Sequence, residues 1–259
     1  MTDAPNPIIV TILGSGTCVP SLRRSSCSVL MEIGPEKLLF DTGAGTIRRL
    51  LECGVSILDI THIFLSHFHP DHSAELVSFL FASKYSENMT RKTPLSLIAG
   101  TGLTAFYQAL EHVYGSWIEL GKDILSIDEM STQAPDRRDC HRFSVFSQPA
   151  VHNPESISYR IESSAGDSVV YSGDTDYCDN LVTLATDAHI LICECSHADE
   201  EKVSGHLSPS LAGDIATRAG VRKLVLTHFY PRCDRFDIEK ECRKTYKGQL
   251  VLAEDRMRL

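Results

Sequence analysis

The sequence predicts an α/β protein, an αββα sandwich of two mixed β-sheets flanked by helices. Three observations point there. Strand-rich segments alternate with helical ones twice over along the chain. Polar, ligand-type residues recur where predicted strands end. A single short run, Ser66-His67-Phe68-His69-Pro70-Asp71-His72, follows directly on a predicted strand.

The N-terminal third reads as short strands and tight turns. Ile8–Leu13 is an apolar, β-branched run closed by Gly14-Ser15-Gly16. Ser28–Ile33 and Lys37–Phe40 flank Gly34-Pro35, a hairpin signal. A helix is predicted over Thr46–Glu52 with Gly54 as its C-terminal cap. Thr61–Leu65 is a strand, Leu95–Ile98 another, and Ser73–Ser83 and Leu103–Tyr114 carry helical apolar spacing. Strands follow near Phe143–Gln148, Ser156–Ile161 and Ser168–Tyr171. The alternation continues through Ile190–Cys193, a helix at Leu211–Ala219 and a strand at Leu224–Leu226. A helix at Ile238–Tyr246 and a strand at Leu250–Leu252 close it. No repeat, low-complexity stretch or linker interrupts the 259 residues, so the expectation is a single domain over 1–259.

Composition excludes several classes. No apolar run approaches the roughly 20 residues of a membrane helix, and Met1–Pro7 lacks the basic start and apolar stretch of a signal peptide. The expected compartment is the cytoplasm. Nine scattered cysteines, an odd number without a Cys-x-x-Cys, read as buried thiols rather than a disulfide framework. Cys193 and Cys195 would share one face of a strand, but nothing nearby completes a metal site. The net charge of −9 gives no overall attraction to polyanions. The basic pairs Arg23-Arg24, Arg48-Arg49, Arg91-Lys92, Arg137-Arg138 and Arg243-Lys244 read as solvated faces, since none extends into a run.

The histidine run carries the chemistry. His67, His69, Asp71 and His72 place three imidazoles and a carboxylate within six residues. These are ligand types for zinc and similar divalent ions. One ion rarely takes four ligands so close in sequence, whereas two adjacent ions can divide them, His67 and His69 to one, Asp71 and His72 to the other. His152, Asp174 and His228 stand at the ends of later predicted strands.

With Asp41-Thr42-Gly43, Ser172-Gly173-Asp174-Thr175 and Thr227-His228-Phe229 added, the chain resembles the metallo-β-lactamase superfamily over essentially its whole length. Leu226–Phe229, Glu194 and Gly205-His206 make it most similar to the ribonuclease Z branch. The resemblance implies that His67, His69 and His152 hold one ion, that Asp71, His72 and His228 hold a second, and that Asp174 bridges them. Asp41 would orient a ligand histidine. Asp71, Glu194 and His206 are the candidate catalytic groups, with Glu194 and His206 the couple that assists the leaving group. The two ions are expected to be zinc, with manganese or iron also fitting the donors. The implied reaction is hydrolysis by a hydroxide generated between ions about 3.5–4 Å apart, with His206 protonating the departing alkoxide.

The sequence departs from the ribonuclease Z pattern in two places. That family inserts a tRNA-gripping arm between the counterparts of His152 and Asp174, where only about 21 residues stand here. Its His-Glu-Ala-Thr motif reads Cys193-Glu194-Cys195-Ser196. The expected substrate is therefore a small-molecule or nucleotide phosphodiester, for example a cyclic nucleotide or cyclic ribose phosphate. An RNA endonuclease of the ribonuclease Z type is the first alternative, and RNA is not favoured by the charge. A carboxylic ester, lactone or thioester hydrolase, which needs Glu194 and His206 less, is the second. A di-iron redox site is disfavoured because His69 occupies a position that such sites fill with a carboxylate. A binding module that kept only the fold is disfavoured by the complete ligand set. Ribonuclease Z-like enzymes are often homodimers, which the resemblance extends to this chain as an expectation, and the lack of a membrane-length apolar run leaves no membrane partner expected. In the variable segment 85–138, Phe106, Tyr107, Tyr114 and Trp117 could line a pocket, but a helix packing on the sheet explains most of them.

Overall fold

The computed structural model describes residues 7–85 and 90–259; the expectation for the first six residues lies outside them. Six strands of a first sheet come from the N-terminal half: β1 (Ile9–Gly14), β2 (Ser28–Ile33), β3 (Glu36–Phe40), β4 (His62–Phe64), β5 (Leu95–Gly100) and β6 (Leu125–Met130). The second sheet follows as β7 (Asp136–Asp139), β8 (Phe143–Pro149), β9 (Ile157–Ser163), β10 (Ser168–Tyr171), β11 (Ile190–Glu194), β12 (Lys223–Thr227) and β13 (Gln249–Leu252). A last strand, β14 (Met257–Arg258), returns to the first sheet beside β1. Each sheet has seven strands, ordered β14-β1-β2-β3-β4-β5-β6 and β13-β12-β11-β10-β9-β8-β7. Both are mixed: β1 to β3 and β7 to β10 pair antiparallel, β3 to β6 and β10 to β13 parallel. The helices are α1 (Thr46–Glu52), α2 (Pro70–Ser73), α3 (Leu76–Tyr85), α4 (Leu103–Tyr114), α5 (Asp179–Leu184), α6 (Pro209–Ala219) and α7 (Ile238–Cys242).

The period-two rule for strands explains the layers. Val29, Met31, Leu38, Phe40, Phe64 and Ile98 join one core with Tyr159, Ile161 and Tyr171 of the second sheet. Their alternating neighbours Leu30, Leu39, Ile63 and Leu97 join a second core with Leu50, Phe79 and Leu103 of α1, α3 and α4. First-sheet strands are thus apolar on both faces, as burial between a sheet and a helix layer demands. Phe40 stacks on Phe64 at 4.7 Å and meets Tyr159 and Tyr171 edge-on at 5.7 Å each, bonding the two sheets where the ligand loops emerge.

The sequence reading and the structure differ in informative places. The edge strand β7 reads Asp-Arg-Arg-Asp and offers no apolar period to recognise. Its Arg138 bonds Asp128 and the Glu129 carbonyl of β6, so charge joins the two sheet edges. The helix expected over Ser73–Ser83 runs as α3 from Leu76, preceded by the short α2, and between them the Glu75 carboxylate caps α1 at Gly45 N (2.6 Å) and Ile47 N (2.7 Å). The last helix stops at Cys242 rather than Tyr246, whose hydroxyl instead donates to the Val221 carbonyl. Gly54 lies in the left-handed region just past α1, as a helix stop requires.

One basic pair is corrected. Arg91 is only 3 % exposed. Its guanidinium donates to the carbonyls of Ile57 and Ile60 and to Thr93. Burial pushes its pKa down to about 10, so it stays charged at neutral pH. Dense donors in a fork suit arginine to such buried carbonyl clusters. None of the nine cysteines is in a disulfide, and Cys193 and Cys195 lie in the apolar core, not at a metal site. Tyr107 is buried in the core and Phe106 stacks on Phe68 at 4.6 Å, while Tyr114 and Trp117 are exposed.

Candidate metal centre

Every candidate residue but His206, which lies in the loop before α6, leaves the C-terminal end of a strand: Asp41 after β3, the histidine run after β4, His152 after β8, Asp174 after β10, Glu194 at the end of β11 and His228 after β12. Such ends are where α/β sheets assemble sites. Proline at the first position of α2 turns the chain immediately after His69. Asp71 and His72 are thereby carried on that helix. Gly43 allows this approach, since a Cβ there would lie 1.9 Å from the Asp71 carbonyl oxygen. Asp41 and His228 both adopt positive φ, 59° and 60°, a conformation that Asp and His tolerate better than branched residues do.

The structure brings all seven predicted ligands together. One ligand atom each from His67, His69, His152 and Asp174 falls within a common 4.8 Å, and so does one each from Asp71, His72 and His228. The two oxygens of Asp174 face different groups. Oδ2 is 3.8 Å from His67 Nε2 and 3.9 Å from His152 Nε2, whereas Oδ1 is 3.3 Å from both His72 Nε2 and His228 Nε2. His228 Nε2 is also 3.7 Å from Asp71 Oδ2.

The outer nitrogens are tied down, which selects the tautomer. His67 Nδ1 pairs with Ser66 Oγ at 3.0 Å and His152 Nδ1 donates to the Gly205 carbonyl at 2.9 Å. His72 Nδ1 donates to Asp41 Oδ2 at 2.7 Å, and His228 Nδ1 meets Ser196 Oγ at 2.9 Å. Each leaves its Nε2 for the centre. His69 is reversed: its Nε2 meets the Asn153 amide at 2.9 Å and Nδ1 faces His152 at 3.3 Å. Asp41 is fully buried and accepts from Ser66 N, Ser66 Oγ, Tyr171 OH and His72. Outer partners of this kind hold metal-binding imidazoles in place.

Electrostatics favour a cation. His67 Nε2 and Asp174 Oδ1 are buried polar atoms without a hydrogen-bond partner among the described residues, an arrangement that costs free energy unless something binds them. Burial, and then His72, holds the His67 pKa well below the usual imidazole range, which leaves the neutral, ligating form. Burial would raise the Asp71 pKa, but the His228 hydrogen bond and nearby imidazoles overcome it and bring it to about 2. Burial likewise disfavours a charged His72. Asp174 and Asp41 outweigh it and raise that pKa well above the usual range. The space between these carboxylates thus calls for positive charge, which a proton or a metal ion can supply. The residues fit a pair of divalent ions.

Glu194 and His206 meet beside this cluster. Glu194 Oε1 accepts from His206 Nδ1 at 3.0 Å and from Thr175 N at 2.8 Å. Burial disfavours the charged His206 ring, yet the Glu194 hydrogen bond and charge raise its pKa above the ordinary value. Sequence reasoning missed Ser196, whose hydroxyl donates to Glu194 Oε2 at 2.7 Å and touches both His206 (3.1 Å) and His228 (2.9 Å). It also missed Asp176, which holds the loop of His206 by Gly205 N at 2.9 Å and Lys202 Nζ at 2.8 Å. A serine two residues after a strand-end glutamate was the only available signal for the first, and none existed for the second.

Residues 36–229 match the family model described as a β-lactamase superfamily domain. A protein named ribonuclease Z from Mycobacterium bovis is 30% identical over 245 residues, covering 86% of each chain. One named ribonuclease Z from Methanothermobacter thermautotrophicus is 26% identical, covering 96% of this chain and 95% of its own. Among solved structures, the metallo-β-lactamase fold protein YhfI of Bacillus subtilis superposes with a TM-score of 0.84 at 23% identity, over 98% of this chain and 99% of that one. The human short-form tRNase Z gives 0.78 at 26% identity, over 97% and 98%. Two facing seven-stranded sheets, a His/Asp cluster at their strand ends and a family match over three quarters of its length place the chain in the metallo-β-lactamase superfamily of hydrolases, on its ribonuclease Z-like branch.

Proposed function

We propose that this chain is a metal-dependent phosphodiesterase acting on a small or cyclic phosphodiester. The observation that carries the reading is the Glu194–His206 pair, whose 3.0 Å contact sets an imidazole with a raised pKa beside the candidate metal centre. With Nδ1 engaged by Glu194, Nε2 is the nitrogen left to give a proton to a departing alkoxide. An ester or lactone places less demand on such a donor. His67, His69, His152 and Asp174 would hold one ion, and Asp71, His72, His228 and Asp174 the other. Two divalent ions there supply positive charge to the phosphoryl oxygens and bring the pKa of water towards neutrality. Zinc suits the imidazole-rich donors, with manganese and iron as competitors. Nine unpaired cysteines suit a reducing compartment such as the cytoplasm.

Relatives named ribonuclease Z support RNA cleavage as the second reading. Against it, β9, a turn and β10 occupy the interval between His152 and Asp174, paired in unbroken register from Tyr159↔Tyr171 to Glu162↔Ser168. That interval therefore holds no protruding arm to grip a folded RNA.

The test compares two phosphodiesters on the zinc-loaded and manganese-loaded protein, one losing an alkoxide and one losing p-nitrophenolate, beside a p-nitrophenyl ester. Loss of His67 should abolish diester turnover. His206→Ala should slow the alkoxide-losing substrate by about 10²–10⁴-fold, and the p-nitrophenyl diester far less, because that leaving group departs without a proton. Equal effects on both diesters, or ester turnover alone, would overturn the reading. Precursor-tRNA cleavage would favour the second.

A further inference from the structure

Two aromatic rings stand on the rim of the site, unused by the chemistry above. Tyr230 follows His228 by two residues, and His197 follows Glu194 by three. Their rings stack at 4.6 Å with an interplanar angle of 21°. His197 lies 6.3 Å from the His206 ring, and Tyr230 lies edge-on to His228 at 6.3 Å. The Tyr230 hydroxyl meets Cys18 Sγ at 3.5 Å, which holds that ring by its far end. Both rings are only half-buried, and Tyr230 belongs to neither apolar core. Each residue thus keeps part of its surface open beside the centre. The pair borders the centre on the side of His206 and His228, where the leaving group of a diester would emerge.

We propose that His197 and Tyr230 form a stacking platform for a nucleobase, so that the natural diester is that of a nucleotide and not of a bare sugar phosphate. This rests on the phosphodiesterase reading for the phosphate end of the ligand. A phosphate held between the Asp174 groups leaves its ribose to span towards the rim, where the base meets a π-face. Every base has such a face, so the platform selects for a base without selecting which one. The acidic chain, at −9, draws in no long polyanion, and a single nucleotide suits a platform of two rings.

Titration calorimetry of the zinc-loaded protein with adenosine 5′-monophosphate and with ribose 5-phosphate tests this, because the two ligands share the phosphate and sugar and differ by the base. The nucleotide should bind about tenfold tighter, within the range for stacking of one base on an aromatic residue. Tyr230→Leu and His197→Ala should each bring the ratio towards one, and Tyr230→Phe, which keeps the ring, should preserve it. Equal affinities in the unaltered protein, or a ratio that survives both ring deletions, would overturn the platform. The unaltered protein decides the question even if a variant fails to fold. A retained ratio without any diester turnover would instead leave the platform standing and overturn the phosphodiesterase reading.

Discussion

At the scale of single residues, donor types were legible and donor atoms were not. The spacing His67-x-His69-x-Asp71-His72 announces divided ligands because one ion rarely takes four side chains so crowded in sequence. Only the fold shows that His69 turns its Nδ1 inward while Asn153 holds its Nε2. Asp41 was readable as an orienting group, but its four bonds come from residues as distant as Tyr171. Asp41→Asn replaces one acceptor with a donor that His72 Nδ1 cannot use. We expect affinity for the second ion to fall about 10- to 100-fold in a zinc titration, with the first ion little changed. Glu194→Gln removes the charge that raises the His206 pKa. Activity on alkoxide-losing diesters needs protonated His206 and declines as pH rises through that pKa, so the decline should begin at lower pH in the variant. A pH–kcat profile that keeps its basic limb in place would contradict this assignment.

At the scale of elements, the strongly apolar strands and the stops of α1, α4 and α6 were readable, and what failed were β6, α5, the stop of α7, charged edges and loop anchors. β7 has no apolar residue to betray it, and the loop carrying His206 has no period at all. That loop is fastened by carboxylates at both ends. Asp199 accepts from Ser208 Oγ, Ser210 N and Lys244, replacing a side-chain cap on α6, and Asp176 holds Gly205 and Lys202. Because the Gly205 carbonyl also accepts from His152, Asp176→Asn should loosen the proton donor and a ligand together. We expect a loss of about tenfold for alkoxide-losing diesters and a smaller one for p-nitrophenyl diesters; equal losses would make Asp176 a purely structural residue. Arg91→Met leaves the Ile60 carbonyl unpaired in the interior and strips the Ile57 carbonyl of all but its Ile60 N–H donor. A cost of about 2–3 kcal/mol follows for such groups, which thermal melting should register as a fall of roughly 5–10 °C.

At the scale of the whole molecule, the sandwich was readable from its twofold alternation of strands and helices, whereas the closing strand β14 was too short to read. Asp255 secures that strand by accepting from Ser15 N, Ser25 N and Arg49. Ser15 in turn accepts from Phe229 N, next to His228. The proposed ligands divide between the two sheets: His67, His69, Asp71 and His72 follow β4 of the first, and His152, Asp174 and His228 follow strands of the second. Bound ions would therefore cross-link the layers. At a free concentration a hundred times Kd, one site adds about 2.7 kcal/mol, so chelation should lower the melting temperature by some 5–10 °C, and a melting temperature indifferent to chelator would contradict the divided ligand set. The buried donor cluster has an evolutionary consequence as well. A lineage that stopped loading metal would inherit carboxylates and imidazoles buried at the seam between its sheets, with nothing to neutralise them. Drift away from catalysis would then favour apolar replacements at His67, His72 and Asp174 early.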